Sequence, residues 1–281
     1  MDYLAIGALA VIAGSVVVSA WKKYSFCALT VAACIVVFAM EEAHGSYDIF
    51  EFSRGRLTNP GMVYTLFTSM YAHASLSHLF FNMIVLAFIG IVLEQRIGTR
   101  PFILLYLISG LVGSLVFAGF YLDRPFVGAV GASGAISGVL GGLARLYPNE
   151  RMIILFFPMY PIEIWKIVVI YIALQTIFLF VGNVAWQAHL GGLAAGLLVA
   201  PYVGRLRVEI RTRKSVPLGA LRRLATTPEL RSMLARIEQE TVQDVRNAWI
   251  EHFMSKARCP ICGSPIRVSG DLVRCSRGHL L

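Results

Sequence analysis

Seven stretches of this chain, residues 3–21, 24–40, 78–93, 102–122, 127–146, 167–182 and 185–202, are apolar for about the length that a membrane-spanning helix needs. Composition agrees. Over 281 residues the chain is 57% hydrophobic and 15% charged, outside the range of a soluble globular domain and suited to an all-α polytopic membrane protein. Charge is unevenly spread: residues 1–204 hold 10 Lys/Arg against 9 Asp/Glu, and residues 205–281 hold 15 against 7. A boundary therefore falls near Arg205, between a membrane part and a basic tail. The first apolar stretch lacks a basic region before it and is followed by Lys22-Lys23, so it reads as a retained helix with its N-terminus outside rather than a signal peptide.

Basic residues of short loops set orientation. With Lys22-Lys23 cytoplasmic, Arg96 and Arg100, then Arg145, Arg151 and Lys166, then Arg205 and the tail fall on that same side. The outer side receives the acidic loop 41–76, the Asp123-Arg124 turn and the Gly182-Asn183 turn. Arg54 and Arg56 sit against the rule, inside a long loop where it is weak. The expectation is seven spans, N-terminus outside and C-terminus cytoplasmic.

Hydrocarbon excludes polar groups, and those found inside spans usually serve function. Three spans that begin on the outer side carry such groups within their first turns: His78 with Asn82, Ser133 within Gly131-Ala132-Ser133-Gly134, and His189. At 1.5 Å rise per residue all lie at most ~10 Å deep, and Asn82 shares a helix face with His78. Small residues offer the means of approach. Gly134, Gly138 and Gly142 recur every four residues, and Gly192 and Gly196 follow His189, so each segment has a stripe on which membrane helices pack closely, with Gly131 counted among the packing residues beside Ser133. If these faces meet, Ser133 and His189 come within hydrogen-bond reach, the geometry in which an imidazole removes a serine proton.

These residues resemble the rhomboid intramembrane serine proteases. The resemblance rests on Tyr71-Ala72-His73-Ala74-Ser75-Leu76-Ser77-His78-Leu79-Phe80-Phe81-Asn82, on Glu94 with Gly98 and Arg100, on Gly131-Ala132-Ser133-Gly134, and on Ala188-His189-Leu190-Gly191-Gly192 with Gly196, in the family's order over about residues 24–204. It implies a six-helix protease core over 24–204, to which 1–23 adds an N-terminal helix. It implies Ser133 as nucleophile, His189 as general base, and His78 and Asn82 as partners of the Ser133 N–H in holding the oxyanion. Implied substrates are membrane proteins cut in or beside a transmembrane segment.

Two departures stand out. Ser137 occupies the position, four after the serine, where the family commonly has an aromatic brace for the imidazole, so His189 must be held by other packing. The first outer loop has Arg54-Gly55-Arg56 without the tryptophan that often accompanies it. Several residues take blander readings: His73 as a structural residue at the water interface, Ser137 as helix packing, His44 and His252 as solvated, Cys27 and Cys34 as packing within a span.

The tail divides into a basic helical linker, 205–257, and a zinc-ribbon-like module, 258–281. The stretch 205–214 suits anionic lipid headgroups, and Thr227-Pro228-Glu229 starts one or two helices. Cys259, Cys262, Cys275 and His279 have the spacing C-x2-C-x12-C-x3-H, suited to a structural zinc in a module too small to fold without a staple. It lacks stacked aromatic residues and a recognisable reading helix, which favours structure or docking of a cytosolic protein over nucleic acid. No cofactor is expected for catalysis. HExxH and paired intraspan aspartates are absent, which argues against a metalloprotease or an aspartyl protease. The competing class is a noncatalytic rhomboid-like protein that binds membrane clients, and the setting expected from the resemblance and the cytosolic module is a prokaryotic plasma membrane, with an organelle membrane as the other possibility.

Overall fold

The computed structural model describes residues 3–22, 24–45, 47–153, 160–181, 184–212, 216–240, 243–269 and 272–280. It divides into two units, Met1–Arg205 and Leu206–Leu281. The first is a bundle of apolar helices that begins with α1 (Tyr3–Lys22) and α2 (Phe26–His44). The start of α2 shows how sequence fixes a helix end. Ser25 Oγ accepts from Ala28 N, and the Glu94 carboxylate, arriving from a later helix, accepts from Phe26 N at 2.7 Å, Cys27 N at 2.9 Å and Ser25 Oγ at 2.7 Å. An anion thus sits on the positive end of the helix dipole and satisfies donors that have no intrahelical partner.

A long first loop follows. Its strand β1 (Phe52–Ser53), turns α3 (Arg54–Leu57) and α4 (Thr65–Thr68), and a 3₁₀ turn at Pro60–Met62 lead to the third apolar segment. That segment is bipartite: α5 (Leu76–Val85), a π-helical turn (Leu86–Gly90) and α6 (Ile91–Ile97). Ser75 caps it, its hydroxyl accepting from His78 N. The Cys27 thiol donates to Leu86 O in the π turn at 3.3 Å, so this cysteine bonds as well as packs.

Next come α7 (Thr99–Phe120), β2 (Gly128–Ala129), α8 (Ser133–Leu146), β3 (Arg151–Ile153), β4 (Pro161–Glu163), α9 (Ile164–Val181) and α10 (Trp186–Thr212). Each of the seven apolar stretches contributes a helix, yet among the described residues four helical runs are long and apolar enough to cross a bilayer: α1, α2, the run Leu76–Ile97 and α7. The difference has a physical reason. With 14 residues α8 rises only about 21 Å, short of the ~30 Å hydrocarbon core, and every residue from Gly134 to Leu143 is buried. It is an inner helix jacketed by the others, while α9 is a slightly shorter apolar helix and α10 ends in charge. The Gly182-Asn183 turn lies outside the described residues.

Phe26, Leu86, Leu93, Phe102, Leu105, Tyr106 and Leu143 make the centre of the bundle, with Phe26 meeting Phe102 and Tyr106 edge-on. Outside, Leu115, Val169, Phe180 and Leu198 are more than half exposed, an apolar coat that only lipid would leave uncovered. The first loop is tied down despite lacking a tryptophan: β1 pairs with β2 through Phe52↔Ala129 and Ser53↔Gly128, Gly55 N donates to Pro125 O, and Arg54 donates to Leu122 O.

The second unit packs α11 (Leu218–Leu224), α12 (Pro228–Gln239) and α13 (Gln243–Lys256) with the hairpin β5 (Ile266–Ser269) and β6 (Leu272–Cys275). Leu221, Leu224, Ile237, Phe253, Ala257 and Val273 form its core. Thr227 Oγ1 accepts from Leu230 N and Pro228 takes the first helical turn, the start expected for α12. Of the basic stretch 205–214, the side chains beyond Arg205 and residues 213–214 lie outside those described.

Candidate active site and metal centre

Ser133 opens α8, so its backbone N–H is one of the donors that a helix start leaves without an intrahelical acceptor. Gly131 precedes it with φ +128°, a conformation that side chains rarely adopt, and its N–H donates to Ser69 O at 2.8 Å. A Cβ at Gly131 would stand 2.8 Å from His78 Nε2 and 3.6 Å from Ser133 Oγ. Gly131 is therefore the slot that lets the His78 ring lie beside the serine, rather than part of a helix-packing stripe.

From α10, His189 Nε2 comes within 2.7 Å of Ser133 Oγ, 56 residues away in sequence. Glycines make this possible. A Cβ at Gly192 would overlap the Gly134 carbonyl, one at Gly196 the Gly138 carbonyl, and one at Gly141 the Leu193 carbonyl, so α8 and α10 touch backbone to backbone. Gly142 does not continue that seam. Its Cβ would meet Leu105 of α7 at 2.7 Å, because a four-residue repeat outruns the 3.6-residue turn and drifts off the face.

His78 is half-buried at the start of α5. Asn82 is buried one turn along, and its Nδ2 donates to His78 O at 2.9 Å. His73 is buried rather than at the water interface: its N–H donates to Glu41 and its ring stands edge-on to His78 with centroids 5.1 Å apart. His44 and His252 are exposed. A cleft lined by Ser69, Ser114, Gly131, Ser133, Ala185 and Ala188 opens beside the serine.

Two residues of α9 enter the site without having been singled out in the sequence. Gln175, itself buried, places Oε1 2.9 Å from His189 Nδ1. Tyr171, one turn earlier on the same face, places its hydroxyl 2.6 Å from Ser137 Oγ, which in turn donates to Ser133 O at 2.7 Å. Where an aromatic brace is missing, α9 thus contacts His189 directly and reaches Ser133 through Ser137. The available signal was a glutamine inside an apolar span.

In the second unit, Cys259, Cys262, Cys275 and His279 converge, with ligand atoms all within 4.8 Å of one another. Cys262 and Cys275 sulfurs are 3.7 Å apart, and His279 Nδ1 lies 3.4 Å from Cys275 Sγ and 3.7 Å from Cys259 Sγ. A tetrahedral ion with sulfur at 2.3 Å and nitrogen near 2.0 Å requires edges of ~3.7 Å and ~3.6 Å, so the cluster can hold a metal. Gly263 and Gly278, at φ +70° and +88°, close the two tight turns that present the thiols. At Cys275 burial acts upward, but hydrogen bonds from Ser264 and from the His279 and Arg277 N–H groups carry the thiol down to about 6. Ser264 likewise lowers Cys262, its hydroxyl 2.7 Å from the sulfur.

Comparison with known proteins places these features. The family model described as the Rhomboid domain matches residues 60–206. The rhomboid protease GluP of Bacillus subtilis is 32% identical over 189 residues, 65% of this chain and 35% of that protein. Rhomboid protein 1, mitochondrial, of Saccharomyces cerevisiae is 33% identical over 157 residues, 54% of this chain and 45% of its own length. RHOMBOID-like protein 1 of Arabidopsis thaliana is 35% identical over 144 residues, 49% of this chain and 33% of its own. In each case the matched region spans less than half of the relative.

Proposed function

The chain belongs to the rhomboid family, and from that premise we propose that it is an intramembrane serine endopeptidase working through a Ser133–His189 dyad. The 2.7 Å separation of Ser133 Oγ and His189 Nε2 carries the reading. Ser133 Oγ attacks the scissile carbonyl carbon while its proton passes to His189 Nε2. The oxyanion forms beside the Ser133 N–H and the side chains of His78 and Asn82, after the Asn82 amide releases His78 O. One such donor is worth about 3–4 kcal/mol of transition-state stabilisation. His189 then protonates the leaving amine, and water entering from the outer side gives its proton to His189 as it hydrolyses the acyl-enzyme.

The substrates are membrane proteins, entering as a locally unwound transmembrane segment. Loop charges favour an orientation with the reacting end of α8 near the outer face and the tail cytoplasmic, and the membrane proposed is a prokaryotic plasma membrane. There the Cys259, Cys262, Cys275 and His279 cluster holds a structural zinc, since thiolate and imidazole donors with no open position suit that ion. The module then serves a structural role or docks a cytosolic protein, and the basic stretch 205–214 suits anionic lipid headgroups.

Purified protein reconstituted with a generic single-span substrate tests the dyad. Wild type should cleave, and Ser133→Ala and His189→Ala should each lose all detectable cleavage. Cleavage persisting in both variants would sink the mechanism. An inert wild type would move the protein to the noncatalytic client-binding class.

A further inference from the structure

We propose that Gln175 is a positioning residue that fixes the tautomer and aim of His189, an inference that rests on the dyad reading above. The argument is one of donors and acceptors. A carboxamide oxygen can only accept, so Gln175 Oε1 at 2.9 Å from Nδ1 requires the proton on Nδ1. A neutral imidazole protonated there has its lone pair on Nε2, which faces Ser133 Oγ at 2.7 Å and so accepts the hydroxyl proton. The opposite tautomer would present N–H to the serine and could not act as base.

Burial strengthens the assignment. Gln175 is only 3% exposed, so no bulk water competes for its oxygen, and ordering it costs nothing at the moment of reaction. Tyr171, one turn before, fixes the same helix face against Ser137, whose hydroxyl is bonded to the serine's own carbonyl. α9 therefore holds His189 directly and Ser133 through Ser137, doing by hydrogen bonds what the missing aromatic ring would do by stacking. Unlike a buried carboxylate, the amide sets direction without adding a charge within the membrane.

Three measurements test this in the full-length protein. In wild type labelled with ¹⁵N-histidine, the His189 resonances should report protonation at Nδ1; protonation at Nε2 overturns the proposal whatever any variant does. Gln175→Leu should lower kcat about 10- to 100-fold with KM unchanged, because Gln175 touches no substrate, and its His189 signals should move toward mixed tautomers. Gln175→Glu, which keeps the acceptor, should recover most of the lost kcat. Wild-type kcat in Gln175→Leu, or a loss there with an unaltered tautomer, refutes the positioning role. Ser133→Ala runs alongside: cleavage surviving in it refutes the dyad itself, whereas cleavage lost in it beside a fully active Gln175→Leu refutes only Gln175.

Discussion

Gly113 lies on α7 and is neither member of the proposed dyad, yet adding one methyl there should slow the proposed cleavage. A Cβ at Gly113 would stand 2.6 Å from the Ala188 carbonyl oxygen, against the 3.4 Å at which ordinary contact begins. Relieving that overlap needs a retreat of α10 by about 0.8 Å, because packed helices have little free volume to absorb it. Ala188 is covalently next to His189, so the imidazole moves too, and a 2.7 Å hydrogen bond becomes one of up to about 3.5 Å, the outer limit of such a bond. Misplacements of this order cost roughly 100-fold in rate. Overpacking costs about 1–3 kcal/mol, partly offset by the ~1 kcal/mol that alanine gains over glycine in a helix, so the protein should still fold. The assay is cleavage of a single-span substrate in proteoliposomes, with thermal unfolding in parallel. Gly113→Ala should show kcat reduced about 100-fold at nearly unchanged KM. Gly119→Ala, on the same helix with nothing within 4 Å of its Cβ, should match wild type. Full activity in Gly113→Ala would refute the idea that backbone contact between α7 and α10 sets the dyad distance.

Two other perturbations probe different parts of the chain. Glu94→Ala removes the acceptor of Phe26 N, Cys27 N and Ser25 Oγ at once and should cost about 2–5 kcal/mol, seen as a lower melting midpoint in detergent, whereas an unchanged midpoint would mean that α2 needs no cap. Full-length protein purified without chelators should carry one zinc per chain by elemental analysis. Strong chelation, or Cys275→Ser, should then make the segment after Arg205 sensitive to limited proteolysis. Metal-free protein of undiminished resistance would show that the cluster is no staple.

Ser133 and His189 were legible because a polar group in hydrocarbon is conspicuous and because their glycine stripes say which faces meet. The boundary near Arg205 showed in charge alone. Gln175 met the first of these criteria but no glycine stripe marks its face of α9, and a helix apolar on all sides gives periodicity nothing to resolve. Gly113 and Gly141 were equally hidden: which glycine faces which helix depends on helical phase over three turns, and a four-residue repeat misplaces Gly142 by accumulated drift. The pairing of β1 with β2 involves two residues per strand, too few for any alternation to register. The convergence of Cys259, Cys262, Cys275 and His279, by contrast, was readable from spacing, since chelate geometry tolerates little variation.

The π turn at Leu86–Gly90 gives one segment two independent compass headings. One residue in excess of the α-helical count turns everything beyond it by ~100°. Upstream of the turn, the His78 ring lies against Gly131 beside Ser133; downstream, Glu94 looks toward the first turn of α2. A straight α-helix would have to abandon one of these appointments, leaving either an imidazole or a carboxylate aimed at lipid tails. Within the widened turn the Leu86 carbonyl also accepts from the Cys27 thiol, which pins the swivel point to α2. Deleting one residue between Leu86 and Gly90 should therefore act less like a shortening than like turning a key out of its lock.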